Sequence, residues 1–266
     1  MCIRDRGNNI FYSLAAKYSI HPSFVQTLLA DKRYDEYDLI SSMIHLMRVE
    51  SHSYSISILE TGLNLFSTNT ISSWNPSSEF EGQSVLILGS GPSCFQYSEI
   101  ITHYITHTSP IVVALNTQSS VNSSLIDYHA ICHPIRLLSD AQRLLTSNHP
   151  LIMPLSSLPS EFTCHYEDSS VRDYGLSISP ECVSIKPSSC TVPVPLALAY
   201  AICVAASGRA SSIQLVGFDG YSIDDPRHHQ VNSCLELLLD NPDIPLVESL
   251  TPTTYSNLPT RSIFSL

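Results

Sequence analysis

Apolar positions follow two different patterns along this chain. Up to about residue 49 they recur at helical spacing. Ile10, Leu14 and Tyr18 predict a helix over residues 8–17. A second helix opens at His21-Pro22-Ser23, where Pro22 suits a first helical turn, and carries Phe24, Val25, Leu28 and Leu29 towards Asp31. A third covers residues 35–49, with Leu39, Ile40, Met43, Ile44 and Met47 on one face. Polar residues then take over, including the run Ser72-Ser73-Trp74-Asn75-Pro76-Ser77-Ser78, which has linker composition. The expected organisation is a helical segment over 1–66, a linker over 67–81 and a second domain over 82–266.

Beyond that linker, short apolar runs alternate with helical stretches. Strands are predicted at 84–88, 111–115, 130–132 and 212–216, with shorter extended pieces at 151–153 and 246–247. Helices are predicted over 94–107, 136–146, 192–207 and 231–239. Residues 155–190 are polar and irregular and are expected to form a lid or an insertion. Alternating strands and helices imply right-handed crossovers. The predicted fold is α/β: a Rossmann-like, mostly parallel sheet with helices on both faces, preceded by the small helical segment.

Composition narrows the functional classes. The chain has 266 residues, 43% hydrophobic and 14% charged, so it can bury a sizeable core. Its formal net charge of -11 gives no general attraction to nucleic acid or to an anionic membrane, and neither partner is expected. The eight cysteines are scattered, with no Cys-x-x-Cys pair, so they are read as reduced cytoplasmic thiols rather than a metal or redox motif. The apolar run 192–206 is shorter than a membrane span and holds Pro193 and Pro195. Residues 1–6 lack a signal core and differ in character from the helical segment after them. They read as a sequencing scar, with a longer parent protein expected upstream.

Candidate chemistry gathers where strands end. Gly89-Ser90-Gly91-Pro92-Ser93 breaks the first strand into a glycine-rich turn before a helix, an arrangement that presents N–H groups to a phosphate. Cys94 stands where the dinucleotide fingerprint needs its third glycine, and no Lys follows to make a Walker loop. Ser93 could cap that helix, and the plain alternative is a tight turn between strand and helix. Asn116 and Thr117 end the second strand, where they can read a ribose or a base edge, or form an Asx turn. Arg136 is the best phosphate or carboxylate partner in the chain; His133 near it could contact a sugar or transfer a proton, and reads first as a helix-start residue. Asp219, in Gly217-Phe218-Asp219-Gly220-Tyr221, is suited to ribose hydroxyls or a cation. His228 and His229 are candidates for a general base. Asp224 and Asp225 read as a solvated acidic loop, and Thr191 as a helix cap. No metal site is expected in this chain.

Several strings together carry a resemblance: Leu86 to Ser93, Val113 to Thr117, Cys132 to Arg136, Asp173-Tyr174-Gly175-Leu176, and Leu215 to Arg227. With the segment from Asn8 to Tyr34, they resemble the C-terminal region of pyruvate-aldolase-like proteins of the HMG-CoA-lyase-like superfamily, found in surface-polysaccharide gene sets. The resemblance implies a parent whose catalysis and divalent metal reside in an upstream (β/α)8 barrel. The barrel's metal-binding Asp and His-x-His pattern is absent here, so no cofactor is assigned to this chain. A more distant likeness, confined to short strings, is to bacterial sialyltransferases and pterin-phosphorylating enzymes with a Gly-x-Gly-Pro-Ser loop. In the sialyltransferases that loop and a following Asn hold a cytidine nucleotide, which implies such a role for Gly89, Gly91, Ser93 and Asn116. Their His-containing loop has no secure counterpart here.

Three functions are expected in consequence. The first is a nucleotide- or nucleotide-sugar-binding accessory domain of an aldolase-like enzyme, partnered by the barrel. The second is glycosyl transfer from a nucleotide-sugar. The third is a non-catalytic assembly module.

Overall fold

The computed structural model describes residues 72–116, 120–133, 147–157, 171–179 and 181–265. The helices predicted over 8–49 and 136–146, together with Thr117 and Arg136, lie outside these residues. Seven strands form one parallel sheet: β1 (Ser84–Leu88), β2 (Ile111–Leu115), β3 (Tyr128–Ala130), β4 (Leu151–Met153), β5 (Val171–Asp173), β9 (Ser212–Val216) and β10 (Val247–Ser249). Their order is β10-β9-β1-β2-β3-β4-β5. The sequence moves outward one way from β1 to β5, then returns on the other side of β1 as β9 and β10. The topological switch therefore lies between β1 and β9, and ligands of open α/β sheets bind outside the carboxyl ends of the strands at such a point.

The central strands alternate their side chains between two cores. Val85 and Ile87 of β1 join Val113, Ile213 and Leu215 on one face. Leu86 and Leu88 join Val112, Ala114 and Val216 on the other. The second face is covered by α3 (Ser98–Thr108) through Ile101 and Ile105. The first is covered by α4 (Ala197–Ser207), buried at every position from Leu198 to Ala206, and by α5 (Pro226–Leu239) through Cys234, Leu235 and Leu238. A strand covered on both faces needs a continuous apolar run, which is why these segments were legible.

Several boundaries differ from the predicted ones. The helix predicted over 94–107 starts earlier and is divided at Tyr97 into α2 (Pro92–Gln96) and α3. The strand predicted at 130–132 is two residues earlier, and the last strand is Val247–Ser249. The helix predicted from Val192 begins only at Ala197. Val192 instead ends a strand, and Pro193 and Pro195 keep the intervening backbone out of the helix. Thr191 therefore lies in that strand and is no helix cap. α5 begins five residues before its first apolar position, because the Asp225 side chain caps it and Pro226 fits its first turn. The stretch 155–190, expected to be irregular, holds β5 and a small second sheet of β6 (Gly175–Ile178), β7 (Ser184–Lys186) and β8 (Ser189–Val192) in the order β6-β8-β7. Its strands are three or four residues long, too short to show a period.

The described part of the linker-like stretch is packed. Phe80, in α1 (Ser77–Phe80), is 0% exposed and lies against Trp74 and Tyr128 at ring separations of 6.0 and 5.6 Å. Gly208, just past α4, lies so near that an added Cβ would stand 2.5 Å from Phe80 Cβ. Glu79 ties α1 to the sheet. It accepts from Arg172 Nε at 2.9 Å, from Trp74 Nε1 at 3.0 Å and from the Tyr128 hydroxyl. Burial works against its charge, but those three donors outweigh it and hold its carboxyl below the ordinary value.

Phe80→Ala is expected to destabilise the domain by about 3–5 kcal/mol in urea unfolding, as for a buried core aromatic. A change under about 0.5 kcal/mol, typical of an exposed site, would mean that residues 72–81 contribute no packing.

Candidate functional site

The loops after β1 and β9 are bonded to each other at the switch point. Gly89 N donates to Val216 O and Gly91 N to Gly217 O, both at 2.8 Å. A Cβ on Gly89 would stand 2.5 Å from Gly217 O, and one on Gly91 would stand 2.0 Å from Asp219 Oδ2. Both glycines thus permit two backbones to touch. Asp219 then reaches across 126 positions to the start of α2. It accepts Ser93 N at 3.1 Å and the Ser93 hydroxyl at 2.8 Å. Ser93 is accordingly not the cap of α2. It sits within the helix, Gly91 is the N-cap, and the capping carboxylate comes from the β9 loop. The N–H groups of Gly89, Gly91, Ser93 and Cys94 all have internal acceptors.

Above these loops lies a cleft of about 410 Å³. One wall carries Gly89, Ser90, Gly91 and Pro92; another carries Phe218, Asp219 and Tyr221. Asn116 and His133 close the side below β2 and β3, and Pro195 to Leu198 bring the start of α4 to it. The N-cap of α4, Leu196, has no side-chain cap. Six predicted residues therefore meet here: Gly89, Ser90, Gly91, Pro92, Asn116 and Asp219. Ser93 lies behind the wall, buried on Asp219.

Asn116 has the most constrained geometry of the group. Its φ of 57° is left-handed, a region Asn tolerates better than other side chains. Its backbone is held on both sides, with N donating to Ala130 O at 2.9 Å and O accepting from His129 Nδ1 at 2.8 Å. Its side-chain Oδ1 is buried and has no hydrogen-bond partner among the described residues. A buried acceptor left unsatisfied costs about 1–3 kcal/mol, so it calls for a donor from elsewhere.

The two histidines named as candidate bases do not line the cleft. His228 is buried, with Nδ1 donating to Tyr221 O at 3.1 Å and its ring stacked on Tyr255 at 5.3 Å. His229 is exposed on α5. Asp225 is a cap bonded to Arg227, and that guanidinium lowers its pKa. The ionisable side chains of the wall are His133, Asp219, Tyr221 and Tyr255, and burial pushes the Tyr255 hydroxyl up. His133, read from sequence as a helix-start residue, is 7% exposed in that wall. Tyr255 carried no local signal, and Tyr221 carried only its place after Gly217-Phe218-Asp219-Gly220. Among the described residues, no three His, Cys, Asp or Glu side chains gather to hold a metal ion. No helix among them is long and apolar enough to cross a membrane.

This fold has a counterpart in a glycosyltransferase. The chain is similar to the MAf glycosyltransferase of Magnetospirillum magneticum AMB-1, with a TM-score of 0.53 and 14% identity. The match covers 86% of this chain, which spans 42% of the length of that structure. At that identity the likeness is one of fold. No family model and no curated protein matches the chain, so the aldolase-like resemblance gains no support from either comparison.

Asp219→Asn removes the charge that Ser93 bonds to. Stability is expected to fall by about 1.5–3 kcal/mol in chemical denaturation, the range for hydrogen bonds to a charged group. Unchanged stability would mean that the two loops hold together without the carboxylate. His129 gives a pH test. Burial lowers its pKa below the ordinary 6.5, outweighing the bond to Asn116 O. The unfolded chain therefore binds the proton first as pH falls through 6.5, and that much stability is lost down to the lowered folded pKa. His129→Gln should flatten this limb of a stability–pH curve, and an identical curve would remove His129 as its source.

Proposed function

We propose that the cleft binds a nucleotide-sugar through its nucleotide, and that the chain supplies this site to a glycosyltransferase-type enzyme. The observation that carries the proposal is the buried, unpartnered Asn116 amide oxygen at the edge of a cleft on the switch point of a parallel sheet. An acceptor there suits a ribose hydroxyl or a base N–H. The Asp219 carboxylate suits a second hydroxyl and disfavours a phosphate beside it. Most N–H groups of the Gly89 to Ser93 loop are already bonded, so a diphosphate would lie towards Ser90 and the uncapped first turn of α4, whose N–H groups and dipole favour negative charge. Arg136 would add the balancing charge. Thr117, next to Asn116, would contact the same nucleoside.

The glycosyltransferase sharing this fold supports the transfer reading. The accessory-domain expectation shares the same ligand and differs only in the chemistry of the whole enzyme, for which the aldolase-like resemblance is the single support. The candidate bases His228 and His229 would need a rearranged β9 loop to reach the cleft.

Calorimetric titration with CMP, CDP, UDP, GDP, ATP and NAD tests the proposal. Gly91 variants are poor controls, because a side chain there collides with Asp219 whether or not a ligand is present. Asn116→Gly keeps the left-handed backbone accessible and deletes only the amide. Saturable binding of one nucleotide is expected, weakened about 10-fold in Asn116→Gly by loss of one hydrogen bond of roughly 1.4 kcal/mol. No binding by folded protein would overturn the proposal and favour an assembly module.

A further inference from the structure

Tyr221 is fixed in place before anything enters the cleft. Its carbonyl accepts from His228 Nδ1 at 3.1 Å and from the Thr254 hydroxyl at 3.2 Å. The preceding Gly220 has a φ of 90°, and a Cβ on it would stand 2.0 Å from Thr254 Oγ1. Over the Tyr221 ring lies the Arg227 guanidinium, 4.1 Å from its centroid. Asp225 holds that guanidinium at two points, accepting Nε at 3.0 Å and the terminal nitrogen at 2.6 Å. The same carboxylate accepts Arg227 N at 2.9 Å as the cap of α5. Yet Tyr221 as a residue remains 38% exposed and lines the cleft. The guanidinium covers one face of the ring, so a ligand in the cleft would meet the rest of its surface.

That surface has a preferred partner. An aromatic face is electron-rich, so it attracts cations and C–H bonds and resists a second electron-rich face laid directly upon it. A guanidinium on one side draws π density towards itself and leaves the other side less negative. The change weakens the attraction for the C–H face of a sugar and eases stacking of a planar heterocycle. Preorganisation adds to this, since a ring already held loses little freedom on binding.

We propose that Tyr221 is the nucleobase-stacking residue of the cleft, with Arg227 as the positioning residue behind its ring. This role rests on the nucleotide-binding function proposed above and adds where the base lies. Asn116 and Asp219 are left for the hydroxyl groups and Ser90 for the phosphates.

The test compares wild type, Tyr221→Leu and Tyr221→Phe, titrated by NMR with CDP, UDP, GDP and ADP. Ribose 5-phosphate serves as a probe without a base. For the nucleotide that wild type binds, upfield ring-current shifts of the base protons are expected. Tyr221→Leu should weaken that nucleotide about 5- to 150-fold, the loss of one base–aromatic stack, and remove the shifts. Tyr221→Phe should keep both, and ribose 5-phosphate should bind all three proteins alike. Wild-type affinity in Tyr221→Leu would overturn the stacking role and leave the nucleotide site standing. Equal losses for nucleotide and ribose 5-phosphate would reduce Tyr221 to a shaping element, which also overturns it. If folded wild type binds none of the four nucleotides, the nucleotide function fails and the stacking role falls with it.

Discussion

The contact between the β1 and β9 loops governs the rest of the site. Gly91 and Asp219 are 128 positions apart in sequence, yet no Cβ fits between them. The Asp219 carboxylate supplies a neighbouring element with the acceptor that its own first turn lacks. The negative charge also sits where the positive end of α2 favours it. With Gly89 and Gly91 bonded to β9 and its loop, the floor of the cleft is continuous backbone from two adjacent parallel strands. A glycine-rich turn of this kind is required by packing alone, before any ligand is considered.

This constraint pairs most of the loop's N–H groups inside the protein. Turn N–H groups already paired inside the protein have little left for a phosphate. The unsatisfied group is instead the amide oxygen of Asn116, pinned by its backbone to Ala130 and His129. The uncapped start of α4 and Tyr221 line the same cleft. The cleft thus combines an unpartnered acceptor, an aromatic residue and a helix N-terminus. α4, whose start borders the cleft, is buried along nearly all its length against the sheet.

How far the site was legible depended on how local each interaction was. β1, β2 and β9 are unbroken apolar runs because both their faces are covered, and such runs are visible without a structure. Asn116 and Asp219 were visible because strand ends in a parallel sheet are a small set of positions. Ser93 offered itself as a possible cap because nothing nearby reveals that an Asp over a hundred residues away performs that task. His133 was visible only as a residue after a strand, and Tyr255 lacks any local pattern; they reach the cleft through the packing of β3 and of the chain after β10. The polar stretch before β1 read as linker because Phe80 is its only fully buried aromatic residue and Glu79 finds its partners on β3 and β5.

By itself the sequence determined the alternation of strand and helix, the parallel sheet, the acidic balance and the two glycine turns. Each of these is written in near neighbours, through hydrophobic period, net charge or the conformational range of a residue type. The tertiary structure alone decided which turns touch, that β1 has β2 on one side and β9 on the other, where α4 begins and which side chains share the cleft. Those outcomes depend on strand order and on contacts between distant segments, and strand order is set by burying whole faces together rather than by any single stretch of chain.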